Sequence, residues 1–357
     1  GSLLQPTTKA QYQSNVGGAF RPYQLFSHSD QVAQQMTSVS NKVGQTGWGG
    51  RVSDLTGGLN GPVPLPMNIS VAGTNLFETG VTSRQLAIGT GTLQSVLNLN
   101  WNGPGSVAPF TPGSSFRQIL GFDTDAVLIK ASSDTTNSAL AADTILNQPD
   151  PVLTSFPATL NTSIANQLRQ VAKLVKIGNT PVSSGGLGMK RQIFFCTLGG
   201  FDTHTNETSA NPTVPNGAGG QGNLLTQLSQ AMRAFYDEMV AQGNSNSVTQ
   251  FTLSDFGRTF QPSGSGAGTV GSDHAWGSHA LILGGAVQGG TFYGAYPTLA
   301  LNSPDDDGGA RGRWIPTTSI DQYAATLAAW YGLAPSDLPN VFSNLSKFPV
   351  QNLGFVI

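Results

Sequence analysis

The residues of this chain with the widest chemical range are its four histidines. All of them fall in three short segments rich in Gly, Ser and Asp: Phe26-Ser27-His28-Ser29-Asp30, Gly200-Phe201-Asp202-Thr203-His204 and Ser272-Asp273-His274-Ala275-Trp276-Gly277-Ser278-His279. Only 36 of the 357 side chains are charged (17 Lys and Arg, 19 Asp and Glu), so such clustering is not a by-product of composition. Imidazole plus carboxylate is the donor set that suits a borderline or hard divalent cation. The expected cofactor is therefore a divalent metal, zinc first, with manganese, magnesium or calcium as alternatives.

Each segment offers a role and a plainer alternative. Asp202 and His204, two apart, can point at one ion; otherwise Asp202 caps a turn and His204 lies at the surface. His274 or His279, reached through a Gly/Ser-rich loop, would complete the ligand set, with His28 and Asp255 as further candidates; otherwise Asp273 merely orients His274 and Trp276 packs on the loop. Ser27 and Ser29 stand at an expected helix N-terminus, where free amides and the helix dipole favour an anion or an activated alkoxide. That suits a nucleophile in phosphoryl or sulfuryl transfer, against the alternative of an ordinary N-cap. Arg258, in Ser254-Asp255-Phe256-Gly257-Arg258, could clamp a tetrahedral oxyanion with its planar fork, or pair with a neighbouring carboxylate. Asp305-Asp306-Asp307, followed by two glycines, reads as a solvated loop. The chain has no Gly-x-Ser-x-Gly elbow, P-loop or dinucleotide fingerprint.

The elements that must position these groups follow from hydrophobic periodicity. Ile164, Leu168, Val171, Leu174 and Val175 mark a helix from about Leu160 to Ile177, which feeds an apolar strand from Arg191 to Leu198. The pattern repeats with a helix over 222–241 and a strand from Val248 to Leu253. A third strand spans Ala280–Gly284, and a capped helix runs from Ser319 to Tyr331. A further helix is expected from Asp30 to Val39. Helices alternating with apolar strands predict an α/β fold with a mostly parallel sheet covered on both faces. Ligands in such folds gather at the carboxyl ends of strands, where Asp202, His204 and Asp255 all fall. Residues 60–150, rich in Gly, Pro, Asn and Thr, read as a polar lid or side lobe inserted in a single domain.

Composition narrows the partners. A net charge of −2 with no basic run excludes nucleic-acid or anionic-membrane binding through bulk charge. Charged residues make up 10%, against roughly 25% in typical soluble domains, while apolar residues at 38% suffice for a folded core. Cys196 lies in an apolar run and reads as a buried strand residue without a disulfide partner. Scarcity of Cys and Lys suits an exported, processed protein, periplasmic or extracellular. No apolar run is long enough to span a bilayer.

Taken together, Leu25-Phe26-Ser27-His28-Ser29-Asp30-Gln31, Thr46-Gly47-Trp48-Gly49-Gly50-Arg51, Gly199 to His204, Ser254 to Arg258, Asp273 to Gly277 and Trp330-Tyr331-Gly332-Leu333 resemble the domain-of-unknown-function 1501 family. That family is similar to the bacterial alkaline phosphatase and sulfatase superfamily. The resemblance implies a three-layer α/β sandwich, export, and a small-molecule or glycan ester as substrate. It implies Ser29 or Ser27 as nucleophile, one metal held by Asp202, His204 and His274 or His279, and Asp255 at a second. Asp255-Phe256 stands where many relatives have an Asp-His pair, which implies a second metal position short of one imidazole. The strand and carboxylate that usually precede the Ser-His segment are not in this sequence, so an upstream fragment or a second copy of the chain is expected to complete the sheet. A formylglycine sulfatase is disfavoured, because Cys196 lacks the Pro and Arg that follow a modified cysteine. The alternative to a metal-dependent ester hydrolase is a non-catalytic exported protein that keeps the fold for assembly or glycan contact.

Overall fold

Four helices sit where periodicity and capping put them. In the computed structural model, which describes residues 1–90, 112–122, 124–146, 149–208, 220–265 and 270–357, the helix Ser163–Asn179 starts at a Thr162 cap whose side chain accepts from the Ala165 amide. It buries Ile164, Leu168, Val171, Leu174 and Val175. The helix Gln221–Ala241 packs against it through Ala231, Met232, Phe235 and Met239. Ile320–Tyr331 carries a full capping box between Ser319 and Gln322 and ends at Gly332 in the left-handed region. The helix His28–Thr37 begins two residues earlier than expected, and its buried face is polar, made of Gln31, Gln34 and Thr37.

The strands are short. Asn68–Ser70 (β1) lies between Gln85–Ala87 (β2) and Ile193–Phe195 (β3), and both pairings are parallel. Thr249–Phe251 (β4) pairs with Ile282–Gly284 (β7), and Gly257–Arg258 (β5) with His274–Ala275 (β6), both antiparallel. The fold is thus mixed α/β with a small parallel sheet of three strands. The strands expected near 248 and 280 form an antiparallel pair beside it, not further parallel members.

Side chains of β3 and of the residue that follows it alternate between two apolar clusters. Phe194 and Cys196 face the one formed by the helices Ser163–Asn179 and Gln221–Ala241, while Ile193 and Phe195 face the one around Trp48, Phe77, Phe342 and the helix Ile320–Tyr331. Apolar packing on both faces stabilises the sheet by roughly 25 cal/mol for each Å² of buried apolar surface.

The stretch 60–150 differs most from expectation. Its first part supplies the middle strand, β1, with Ile69 fully buried. The helix Val127–Leu146 sends Leu140, Ala142 and Leu146 inward, the last two into the first cluster. Alternating apolar residues in Leu65-Pro66-Met67-Asn68-Ile69-Ser70-Val71 carry the strand, masked in sequence by the polar residues around them. Residues 91–111 of the expected lid lie outside the described residues. Among the described residues no helix is long and apolar enough to cross a membrane.

Candidate metal centre

The carboxyl end of β3 leads into the loop that carries Asp202 and His204. Two bonds to the Gln167 side chain tie down Thr197, its amide donating at 2.7 Å and its carbonyl accepting at 2.8 Å. Gly200, at φ 94, then turns the chain into the Asp202 segment. Asp255 occupies the connection between β4 and β5, and His274 is the first residue of β6, in register with Arg258. His28 opens its helix, and Gln31 one turn on donates to the Asp255 carbonyl at 2.6 Å, fastening that helix to the β4–β5 connection.

These segments converge on Asp202. Its Oδ1 lies 2.9 Å from His274 Nε2 and 3.0 Å from His204 Nε2, and the two Nε2 atoms are 3.2 Å apart. Its Oδ2 lies 3.2 Å from His28 Nε2, while His28 Nδ1 reaches Asp255 Oδ2 at 2.8 Å. Ligand atoms of His28, Asp202 and His274 all fall within 4.8 Å of one another. The rings of His28 and His274 pack edge to face at 4.0 Å, and Phe256 stacks on His274 at 4.8 Å.

The triangle of Asp202 Oδ1, His204 Nε2 and His274 Nε2 fits a bound cation. Bonds of about 2.0–2.1 Å to tetrahedral zinc place neighbouring ligand atoms about 3.3 Å apart, close to the edges of 2.9, 3.0 and 3.2 Å here. Two imidazole nitrogens and a carboxylate oxygen in such proximity also need positive charge between them, a proton or a metal ion, because bare lone pairs repel. Asp202 is 44% exposed, so the face of the triangle is open to solvent and to a ligand.

The charges are consistent with this packing. The hydrogen bond to Asp255 raises the His28 imidazole above its ordinary value; partial burial opposes it, and Asp202 adds a second raising contact. Partial burial alone would lift Asp202, but the hydrogen bond from His274, the charge of His204 and the bond from His28 together hold its carboxyl below the usual range.

Other sequence candidates land elsewhere. His279 is exposed and set apart from the cluster, its ring against Tyr296 at 5.2 Å. Five residues past His274, the chain has left β6 and turned toward β7. Arg258 is 13% exposed and committed to the backbone: it donates to the Phe201 carbonyl, to Thr203 Oγ1 at 3.1 Å and to the Ser272 carbonyl at 2.9 Å, with Asp202 Oδ1 3.6 Å away. It holds the Asp202 loop in place, with little of its fork left for a substrate oxyanion. Ser27 is the N-cap residue, but its hydroxyl accepts from no helix amide and instead donates to Asp30 Oδ2 at 2.6 Å. Ser29 Oγ is exposed, 3.3 Å from Ser27 Oγ. Neither hydroxyl bonds to a member of the cluster.

Two acidic positions take other roles than the sequence suggested. Asp273, read as an orienter of the adjacent His274, instead faces His204 Nδ1 at 3.3 Å and pairs through its other oxygen with Arg311. The Asp305-Asp306-Asp307 loop is not solvated: Asp306 and Asp307 are buried, Asp306 accepting from the Asn302 amide at 2.7 Å and Asp307 pairing with Arg313 at 3.2 Å.

Comparison with curated proteins and with solved structures gave no match. Residues 186–307, the stretch holding Asp202, His204, Asp255, Arg258, His274 and His279, match the model of the family described as "Protein of unknown function (DUF1501)", and this match supports that family for the chain.

Proposed function

We propose that the protein is a metal-dependent hydrolase of phosphate or sulfate esters, exported to a periplasmic or extracellular location, with the three-layer architecture of the alkaline phosphatase and sulfatase superfamily. The observation that carries this reading is the triangle of Asp202, His204 and His274, sized for a small divalent cation and flanked by His28 and Asp255. A bound divalent ion supplies Lewis acidity toward an ester oxygen and lowers the pKa of a bound water. The chain's own residues hold the donor atoms: Arg258 fixes the loop of Asp202, Gln31 fixes Asp255, and the Ser27–Asp30 pair gives one hydroxyl a carboxylate to receive its proton. Ser29 and Ser27 are the candidate nucleophiles, and a small ester, free or on a glycan, is the substrate class.

A second reading has its own observation. Because neither serine hydroxyl bonds to the cluster, a non-catalytic exported protein that binds metal for assembly or glycan contact also accommodates the geometry. Metal analysis of protein purified without chelator, with aryl phosphate and aryl sulfate assays of wild type, Ser27→Ala, Ser29→Ala and His204→Ala, separates the two. We expect about one zinc per chain and a loss of at least roughly 100-fold in His204→Ala. Bound metal without turnover, together with ordered oligomers that survive chelator, would establish the second reading; neither metal nor turnover would refute the hydrolase.

A further inference from the structure

We propose that the cleft between β3 and β4 is a seat for one further β-strand, an extended, uncharged, apolar segment of another polypeptide. The inference is independent of the hydrolase reading.

β3 and β4 share both covering layers. Phe194 and Cys196 pack with Val248 and Leu283 against the helices Ser163–Asn179 and Gln221–Ala241, while Phe195 and Phe251 pack on Phe77, whose ring lies 6.2 Å from each. Their carboxyl ends also lie on one side, because His28 joins Asp202 beyond β3, at 3.2 Å, to Asp255 beyond β4, at 2.8 Å. Among the described residues, however, the two strands are not paired with each other and stand farther apart than paired strands do. Exposure records the difference. In β1, with a neighbour on either side, Asn68, Ile69 and Ser70 are fully buried; no residue of β3 or β4 is, although apolar layers cover both faces.

The edges that meet the cleft carry free main-chain groups. Ile193 and Phe195 turn theirs to β1: the Ile193 amide donates to the Met67 carbonyl at 2.8 Å, and the Phe195 carbonyl accepts from the Val71 amide at 3.1 Å. Alternation then points the amides and carbonyls of Phe194 and Cys196 the other way. β4 behaves likewise. Gln250 and Thr252 turn to the β7 side, the Thr252 amide donating to the Leu281 carbonyl at 3.0 Å, which leaves Thr249 and Phe251 facing away from β7. Among the described residues, the main-chain groups of Phe194, Cys196, Thr249 and Phe251 have no backbone partner on that edge.

These groups identify the occupant. A polypeptide strand can bond to both edges at once, whereas an acyl chain or another purely apolar guest would leave amides and carbonyls unpaired beside it. Neither β3 nor β4 carries a charged side chain, so nothing there offsets a charge on the guest. The apolar layers above and below call for apolar side chains on both of its faces. A second copy of this chain has no described strand to lend, since each of them is already paired.

The test is amide hydrogen exchange, read residue by residue by NMR, on the full chain alone and with the peptide acetyl-Lys-Lys-Gly-Val-Ile-Val-Val-Ala-amide, its lysines added for solubility. In the chain alone, the amides of Phe194, Cys196, Thr249 and Phe251 should exchange freely while those of Ile193, Phe195 and Gln250 are protected. The peptide should slow the first group by about 10-fold or more; the same peptide methylated on alternate amide nitrogens should not. Thr249→Pro removes an amide that faces the cleft and a hydroxyl without a hydrogen-bond partner. Val248 already has the extended backbone, φ −127 and ψ 125, that a residue before proline adopts. That variant should unfold at the wild-type urea midpoint and bind the peptide about 10-fold more weakly. Cleft amides already protected in the monomeric chain alone, or left unprotected by the peptide, overturn the proposal. So does protection that appears when the chain alone dimerises by light scattering, which would put a second copy in the cleft.

Discussion

Gly271, three residues before His274, packs directly against the backbone of the His204 loop, and substituting it tests whether that approach sets the site. A Cβ built on Gly271 would lie 2.2 Å from the His204 carbonyl carbon and 2.3 Å from the Thr203 and His204 carbonyl oxygens, whereas ordinary contact begins at 3.4 Å. All three obstacles are backbone atoms, so no rotamer relieves the clash and the two segments must part by more than 1 Å, the difference of those distances. Overpacking of this kind costs roughly 1–3 kcal/mol, and a rigid backbone obstacle places Gly271→Ala toward the upper end. The same displacement exceeds the ~0.5 Å within which a functional constellation must be held, and a misplacement of about 1 Å can cost about 100-fold. Urea unfolding of metal-free protein should give a lower midpoint at unchanged slope, and zinc titration should give a dissociation constant raised about 100-fold. Gly58→Ala, where the added carbon meets nothing within 4 Å, serves as the silent control. An unfolding midpoint and zinc affinity for Gly271→Ala equal to those of Gly58→Ala would refute the argument.

Two buried or anchored carboxyls make stability depend on pH in opposite directions. Glu78 is fully buried, accepts from Asn75 Nδ2 at 2.8 Å, and is pushed by burial from 4.5 up to about 7. The folded chain therefore keeps a proton that the unfolded chain releases, and wild type should lose about 3 kcal/mol as pH rises between those two values, at about 1.36 kcal/mol per pH unit. Glu78→Gln should lack this loss; urea midpoints at pH 4.5 and 7.5 that shift equally in both proteins would sink the idea. For Asp54, partial burial works upward, but bonds from Ser83, Val81 and Thr82 bring its carboxyl down to about 2. Its contribution is present above 3.8 and lost as pH falls toward 2. Asp54→Asn should cost roughly 2 kcal/mol at neutral pH, with a gap from wild type that closes in acid; thermal melts showing the same gap at both pH values would contradict the anchor role.

What could be read from the sequence was what local pattern encodes. The helices Ser163–Asn179, Gln221–Ala241 and Ile320–Tyr331 each bury an apolar stripe long enough to show period 3.6, and each lies within a few residues of its expected place. The helix at His28 buries Gln31, Gln34 and Thr37, so its capping segment alone betrayed it. Strands of three residues are too short to display alternation, and pairing partners far along the chain leave no local trace; hence β1 was hidden among Pro, Gly and Asn, and the antiparallel union of β4 and β7 was not foreseen. In the site, residue types and strand-end positions pointed to Asp202, His204, Asp255 and His274. Spacing could not say which way His279 turns, nor that Asp273 serves a histidine 69 residues distant, nor that Arg258 is consumed by backbone carbonyls.

The convergence on Asp202 bears on how the chain stays folded. Its members come from residues 28 to 274, and no two of the three histidine-bearing segments are neighbours along the polypeptide, so an unfolded chain offers nothing comparable. Any ion captured there binds one side of the folding equilibrium and shifts it by mass action, by about 2.7 kcal/mol at a free concentration about a hundred times the dissociation constant. A captured ion would thus act on the folding equilibrium with a strength comparable to the pH effect of Glu78, from segments that only folding brings together.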